Sequence, residues 1–185
     1  MSMRIIGGKY RGRRIKQPGF AAVRPTKDRI REAVFNIIAA KVPGAGVLDI
    51  FAGSGAYGLE ALSRGAEKAL FVEKNRRCGR AIGENIRLLG AEERARIITG
   101  DVFKSMELLA KSGQSFDLAF SDPPYNRGMA KKTLIIINHY DILKPAGLLI
   151  IEHHRAEDIP EVEGNVSIFK QKTYKNIFIS VFLKK

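Results

Sequence analysis

Acidic residues are scarce in this 185-residue chain: 19 Asp and Glu stand against 32 Lys and Arg, giving a net charge of +13. That imbalance, with a pI near 10.0, suits a polyanionic partner, nucleic acid before an anionic membrane. Long apolar runs are missing as well. No stretch approaches the roughly 18 residues needed to span a bilayer, so no membrane partner is expected. The opening Met1-Ser2-Met3-Arg4-Ile5-Ile6-Gly7-Gly8 lacks the apolar core of a signal peptide. Cysteine is nearly absent. Cys78 alone excludes an intrachain disulfide and a multi-Cys metal site, and its place in a predicted helix reads as structural. His139, His153 and His154 have no acidic or Cys partners at metal-ligand spacing, so no metal is expected. Neither internal repeats nor low-complexity tracts occur. The length allows one domain with a small appendage, and a reducing cytoplasm is the expected setting.

The positive charge is unevenly placed. Residues 1–41 hold eleven Lys and Arg against Asp28 and Glu32, which is nine of the thirteen net charges. Arg outnumbers Lys there, seven to four, and Arg suits planar, bidentate recognition of phosphate. A solubilising face is the plainer reading of a charge run. Its concentration in the first fifth of the chain favours phosphate contact, with Arg4, Lys9, Arg11, Arg13, Arg14, Arg24 and Arg29 as candidates for contact with a nucleic-acid backbone.

From residue 46 onward, short β-type runs alternate with helical stretches. Val47–Ile50, Ala69–Val72, Arg96–Thr99, 116–120 and Leu148–Ile151 read as strands. The helices between them cover about 55–64, 75–89, 102–109 and 129–142, with Asn75 and Asp101 as N-caps and Gly90 as a stop. This alternation predicts a parallel α/β sheet with helices on both faces. The end departs from it. Val166–Tyr174 and Ile177–Leu183, separated only by Lys175-Asn176, read as an antiparallel hairpin. Before residue 46, Arg4-Ile5-Ile6 and Tyr10–Lys16 suggest a small basic hairpin. Thr26 is the candidate N-cap of a helix bearing Ile30, Val34, Ile37 and Ile38. The expected division is therefore 1–45, a basic extension, and 46–185, the α/β domain.

Two motifs carry chemistry. Asp122-Pro123-Pro124-Tyr125 follows the strand-like run 116–120, hence sits at a strand's carboxyl end, where open α/β sheets bind ligands. An ionised Asp and a proline carbonyl only accept hydrogen bonds, and both prolines restrict the backbone that presents them. Fixed acceptors beside the flat Tyr125 ring suit a planar group bearing an NH2, such as a nucleobase with an exocyclic amine. A turn that merely ends a strand is the alternative. The second motif, Gly53-Ser54-Gly55-Ala56-Tyr57-Gly58, matches G-x-G-x-x-G, and Glu73 lies 20 residues beyond Gly53. Read literally it binds a dinucleotide. Asp49 precedes the glycines, however, and would set a carboxylate against a pyrophosphate. S-adenosylmethionine (SAM), with an ammonium and a sulfonium, fits that charge better. Glu73 and Asp101 end the next two strands and can accept from ribose hydroxyls and an adenine amine. Each alone could be only a helix cap; together they favour a SAM site.

These motifs, with Arg24-Pro25-Thr26-Lys27-Asp28-Arg29 and the opening Arg4–Arg13, occur in the order found in a known family. The chain resembles the bacterial 16S rRNA guanine-N2 methyltransferases. The resemblance covers nearly the full length. It implies a Rossmann-like class I methyltransferase fold, a mostly parallel seven-stranded sheet, and SAM as methyl donor. Asp49, Gly53, Gly55, Glu73 and Asp101 would line the SAM pocket, with Phe51, Ala52, Ser54, Lys74 and Val102 beside them. Asp122, Pro123, Pro124 and Tyr125 would form the catalytic site. The implied partner is 16S rRNA or small-subunit particles, met by a monomer. Tyr174-Lys175-Asn176 departs from the family, where a glycine is expected after the tyrosine. Two other readings stay open: an adenine-N6 methyltransferase acting on DNA or RNA, and a SAM- and RNA-binding protein without catalysis.

Overall fold

Alternation along the central strands decides the layers. In β1 (Gly46–Ile50), Val47 joins a core cluster on one face of the sheet, whereas Leu48 and Ile50 join the cluster on the other. Strands buried on both faces read as unbroken apolar runs, as a parallel sheet between two helix layers requires. The computed structural model describes residues 3–18 and 25–185. In chain order these form α1 (Pro25–Ile37), β1, α2 (Ala56–Ser63), β2 (Lys68–Glu73), α3 (Arg76–Leu89), β3 (Ala95–Thr99), α4 (Val102–Lys111), β4 (Phe116–Ser121) and α5 (Met129–His139), then β5 (Leu143–His154), β6 (Val162–Glu163), β7 (Val166–Tyr174) and β8 (Ile177–Lys184).

The sheet order is β3-β2-β1-β4-β5-β8-β7-β6. The first five strands are parallel, and β8, β7 and β6 pair antiparallel. The sheet thus has eight strands rather than seven, the extra one being the two-residue β6. The order reverses between β1 and β4, which puts the ligand crevice at their carboxyl ends. Residues of α2 and α3 pack in one core with Ile30, Val34 and Ile38 around α1 and with Met3, Ile5, Tyr10 and Ile15 of the N-terminal segment. Those of α4 and α5 pack in the other.

The N-terminal pairing is reduced to one antiparallel bridge, Arg4 to Arg14. Three backbone bonds still cross it, from Ile5 N–H to Arg13 O, Gly12 N–H to Ile5 O and Ile15 N–H to Met3 O, each 2.9 Å. Helix α2 takes other amides: Ile6 and Gly7 N–H each donate 2.8 Å bonds to Glu60, and Tyr10 N–H donates to Ser63 Oγ at 2.9 Å. Helix α1 starts at Pro25, so Thr26 lies within its first turn and is not the cap. Proline suits that position, since the first helical N–H lacks an intrahelical partner anyway. Asn75 and Asp101 do cap α3 and α4 through their side chains. The 175–176 turn holds Lys175 at φ 54°, the left-handed region that glycine enters without strain.

Candidate active site

Asp49 turns toward α2, where its buried carboxylate accepts a 2.9 Å bond from the Gly58 N–H. Burial drives its pKa up from 3.8 to about 8; the Gly58 bond opposes the shift, and the charges of Asp122 and Glu73 add to it. The chain then makes a sharp turn with Phe51, Gly53 and Gly55 at φ 57°, 57° and 78°. The two glycines adopt this backbone freely. For Phe51 it costs about 1–3 kcal/mol, and such outliers gather at functional sites. The Phe51 ring meets Phe103 edge-on at 6.0 Å. Gly58 serves packing instead. A Cβ there would fall 2.3 Å from the Phe71 ring, so its absence lets α2 lie close on β2.

Glu73, ending β2, accepts from Gly53 N–H at 2.8 Å and from Asn75 N–H at 2.7 Å. It thereby ties the glycine turn to the start of α3. Asp122 follows β4 directly. Two adjoining cavities join these residues. One, of about 180 Å3, is lined among others by Asp49, Phe51, Ala52, Gly53, Ser54, Asp122 and Glu152. The other, of about 360 Å3, is lined by Phe51, Glu73, Asp122, Pro123, Pro124 and Tyr125. Phe51 and Asp122 border both. The larger volume falls within the about 300–1,000 Å3 usual for a small-molecule site, and the smaller cavity extends it. Carboxylates from the ends of three strands make the cleft a poor host for pyrophosphate and a good one for a cation.

Four of the expected residues stand apart. Gly55 packs against Phe71 and Ile82 at the root of α2. Val102 is buried in the α4 core. Asp101 caps α4 through bonds to the Phe103 and Lys104 amides and faces Lys74 at 3.6 Å; those amides hold its carboxyl below the usual range. Lys74, Asp101 and Val102 line neither cavity.

Three contributors escape a reading of the sequence. Glu152 is buried near the end of β5, accepts the Tyr57 hydroxyl at 3.2 Å, and also accepts the Tyr125 hydroxyl. Tyr57 stacks on Phe120 at 5.1 Å; burial, then the Glu152 charge, push its pKa well above 10. Arg31 is buried beside Glu60 and lines the smaller cavity. A signal for Glu152 does exist: it follows the apolar run 148–151 as Asp122 follows the run ending β4.

The basic candidates are spread out. Lys9 N–H reaches the Ser63 carbonyl, the Tyr10 hydroxyl meets Arg94, and Arg13 donates to the Leu88 carbonyl. Ser63 and Leu88 end helices that begin at the cleft, so this tip lies at the opposite end of the sheet. Arg4 and Arg14 sit midway, and Arg29 is exposed on α1. Arg24 lies outside the described residues.

The family described as "Conserved hypothetical protein 95" matches residues 3–183. This chain belongs to that family. A relative from Escherichia coli K12, Ribosomal RNA small subunit methyltransferase D, is 37% identical over 170 residues, covering 92% of this chain and 84% of its own. The solved structure of yhhF from Escherichia coli is 34% identical with a TM-score of 0.86, over 100% of this chain and 99% of that one. At 19% identity, the SAM-dependent methyltransferase from Agrobacterium tumefaciens shares the fold with a TM-score of 0.61, over 87% of this chain and 62% of that one. The family thus has the α/β methyltransferase fold.

Proposed function

We propose that this protein transfers a methyl group from SAM to the exocyclic N2 of a guanine in small-subunit (16S) rRNA. It acts as a cytoplasmic monomer on the rRNA or on small-subunit particles. One observation carries the reading: Asp122 borders both the cavity of Asp49 and Gly53 and the cavity of Glu73, Pro123, Pro124 and Tyr125. A donor bound in the first would be adjacent to a base held in the second.

The residues present fit SAM. Asp49 offers a carboxylate to the ammonium, Gly53 leaves the backbone open to close approach, and Glu73 can accept from ribose hydroxyls. The Asp101 carboxylate is the acceptor proposed for the adenine amine, with Lys74 and Val102 next to it. When bound, SAM supplies an electrophilic methyl carbon on a sulfonium. The remaining work belongs to the chain. The Asp122 carboxylate and the Pro123 carbonyl accept the two N–H bonds of the guanine amine and fix its plane. Tyr125 stacks on the base, an interaction worth about 1–3 kcal/mol. The amine is a weak nucleophile whose proton becomes acidic only as its new bond forms. A strong prior base is therefore unnecessary, and Asp122 takes that proton or passes it to water. Orientation supplies most of the acceleration, an effect that reaches roughly 7–11 kcal/mol in favourable systems. The target nucleotide must be unpaired or extruded, which RNA loops permit readily. Residues 46–185 carry this chemistry, and the basic residues of 1–45, Arg4, Lys9, Arg11, Arg13, Arg14, Arg24 and Arg29, hold the phosphates of flanking RNA.

The test is direct. Labelled SAM is offered with naked rRNA, small subunits or DNA, and the modified nucleoside is identified by mass spectrometry. N2-methylguanosine in 16S rRNA, lost in Asp122→Ala with SAM affinity retained, is expected. N6-methyladenine, or transfer by the variant near the wild-type rate, would overturn the assignment.

A further inference from the structure

The cleft has a basic rim of its own, separate from the N-terminal charge. Lys104 lies in the first turn of α4. Arg127 follows Tyr125 by two residues, and Lys131 and Lys132 open α5. All four are exposed. Because α4 and α5 begin at the carboxyl ends of their preceding strands, these cations stand at the cleft mouth. Lys132 Nζ sits 4.2 Å over the Phe103 ring, and that ring touches Phe51, which lines both cavities. The N-terminal tip is differently placed: Lys9 and Arg11 lie near Ser63, at the far end of α2, an eight-residue helix of about 12 Å.

The fold explains the rim only in part, through the contact of Lys132 with Phe103 and the attraction of Lys104 to Glu107. Among the described residues none of the four cations forms an ion pair, whereas Lys74, Lys111, Lys144 and Lys184 do. Helix α5 contains no Asp or Glu, and cations in a helix's first turn oppose its dipole. Their placement therefore costs stability. A polyanion that approaches the cleft reverses the sign of that cost.

We infer that Lys104, Arg127, Lys131 and Lys132 form a phosphate-binding rim for the RNA strand that delivers the target base. The inference rests on the functional reading of the Asp122 loop given above. A nucleotide extruded toward Asp122 brings its flanking phosphates with it, and they must pass this rim. Phosphate contacts of this kind set register and affinity, not sequence. The ring of Phe103 keeps the Lys132 ammonium at the mouth through a cation–π contact.

Binding is read without catalysis, by anisotropy of a fluorescein-labelled RNA hairpin with a guanine in its loop. The Lys131→Glu/Lys132→Glu variant is compared with Lys68→Glu/Lys185→Glu, which changes net charge equally at sites away from the rim. Circular dichroism and SAM affinity verify folding, and Lys131→Ala/Lys132→Ala gives a milder second arm. The rim variants should weaken hairpin binding about tenfold or more at physiological salt. Each lost contact should flatten the log K against log salt slope by about 0.7, with SAM affinity unchanged. Equal effects from the rim and control pairs, or a slope identical to wild type, would overturn the rim. A wild-type protein that methylates no RNA yet shows rim-dependent binding would defeat the functional reading alone.

Discussion

The Tyr125 hydroxyl donates a hydrogen bond to the Glu152 carboxylate, so the Asp122–Tyr125 loop is fastened to the end of β5. Glu152 also accepts from Tyr57, whose ring is held by Phe120. One buried acid thereby sets the tilt of the ring proposed to stack on the base. Tyr125→Phe keeps the ring and removes the fastening. A hydrogen bond to a charged group contributes about 1.5–3 kcal/mol. The variant should lose roughly 10–100-fold in kcat/KM for RNA, with SAM affinity unchanged. Glu152→Ala also strips Tyr57 of its acceptor and alters the smaller cavity, so it should lose at least as much kcat/KM, and the double variant should be little worse than Glu152→Ala alone. Additive losses would mean that the two residues act separately.

As the proposed partner of the SAM ammonium, Asp49 should make cofactor binding depend on pH. Its folded pKa of about 8 stands above the ordinary 3.8 because the carboxylate is buried beside other acids. The folded state therefore holds a proton that the unfolded state releases. Stability from this group is full below about pH 4 and is lost as pH rises toward 8. An ammonium placed beside Asp49 expels the proton. SAM affinity should therefore climb through pH 6–8 and level off above it, approaching tenfold per unit on the slope. Calorimetry at pH 7 in buffers of different ionisation enthalpy should record release of nearly one proton per SAM bound. Asp49→Asn keeps an acceptor for Gly58, so it should raise Tm at pH 8–9, bind SAM more weakly and abolish the proton release. A pH-independent SAM affinity in the wild type would remove Asp49 from the ammonium site.

Much of this arrangement is legible from residue order. Apolar runs ending in acids give β1, β2 and β4 and the cleft at their carboxyl ends, since the signal is local. Strand β5 is legible only from Leu148. Its start, Leu143–Gly147, contains Pro145, Gly147 and Ala146 at φ 59°, which disguise a strand as a turn. The two-residue β6 has no periodicity to read. The N-terminal hairpin keeps its own backbone bonds, but Glu60 and Ser63, more than 50 residues away, take the Ile6, Gly7 and Tyr10 amides and fix where it lies. For the same reason composition locates the positive charge but not its direction. That tip runs away from the cleft, and the four cations at the mouth are scattered between residues 104 and 132.

Glu60 is the anchor of the N-terminal segment and should be the costliest side chain to remove. It is fully buried, accepts from the Ile6 and Gly7 amides, and pairs with Arg64 at 2.7 Å and Arg31 at 3.6 Å. Glu60→Ala would take the acceptor from the Ile6 and Gly7 amides, at about 1–3 kcal/mol for each buried group left unsatisfied, and would leave Arg31 with Asp28 at 3.1 Å as its counter-charge. The expected result is a lower urea midpoint at an unchanged m value. Met3, Gln17 and Pro18 line the smaller cavity, so SAM affinity should fall in the same variant. A midpoint within error of wild type would show that the segment is held by its apolar contacts alone.

Lys175 offers the opposite case, a position whose backbone conformation penalises the residue that stands there. At φ 54° it occupies a left-handed conformation that penalises a side chain by roughly 1–2 kcal/mol. Glycine escapes that penalty but gains about 0.5–1 kcal/mol of unfolded-state entropy. The balance for Lys175→Gly is a stabilisation of up to about 1.5 kcal/mol, read as a higher urea midpoint. The turn joins β7 to β8, and β8 pairs with β5 through Glu152 and His153. Rigidifying it leaves the cleft's own residues unchanged, so SAM affinity should not move. A destabilised variant would mean that the lysine side chain makes a compensating contact in solution.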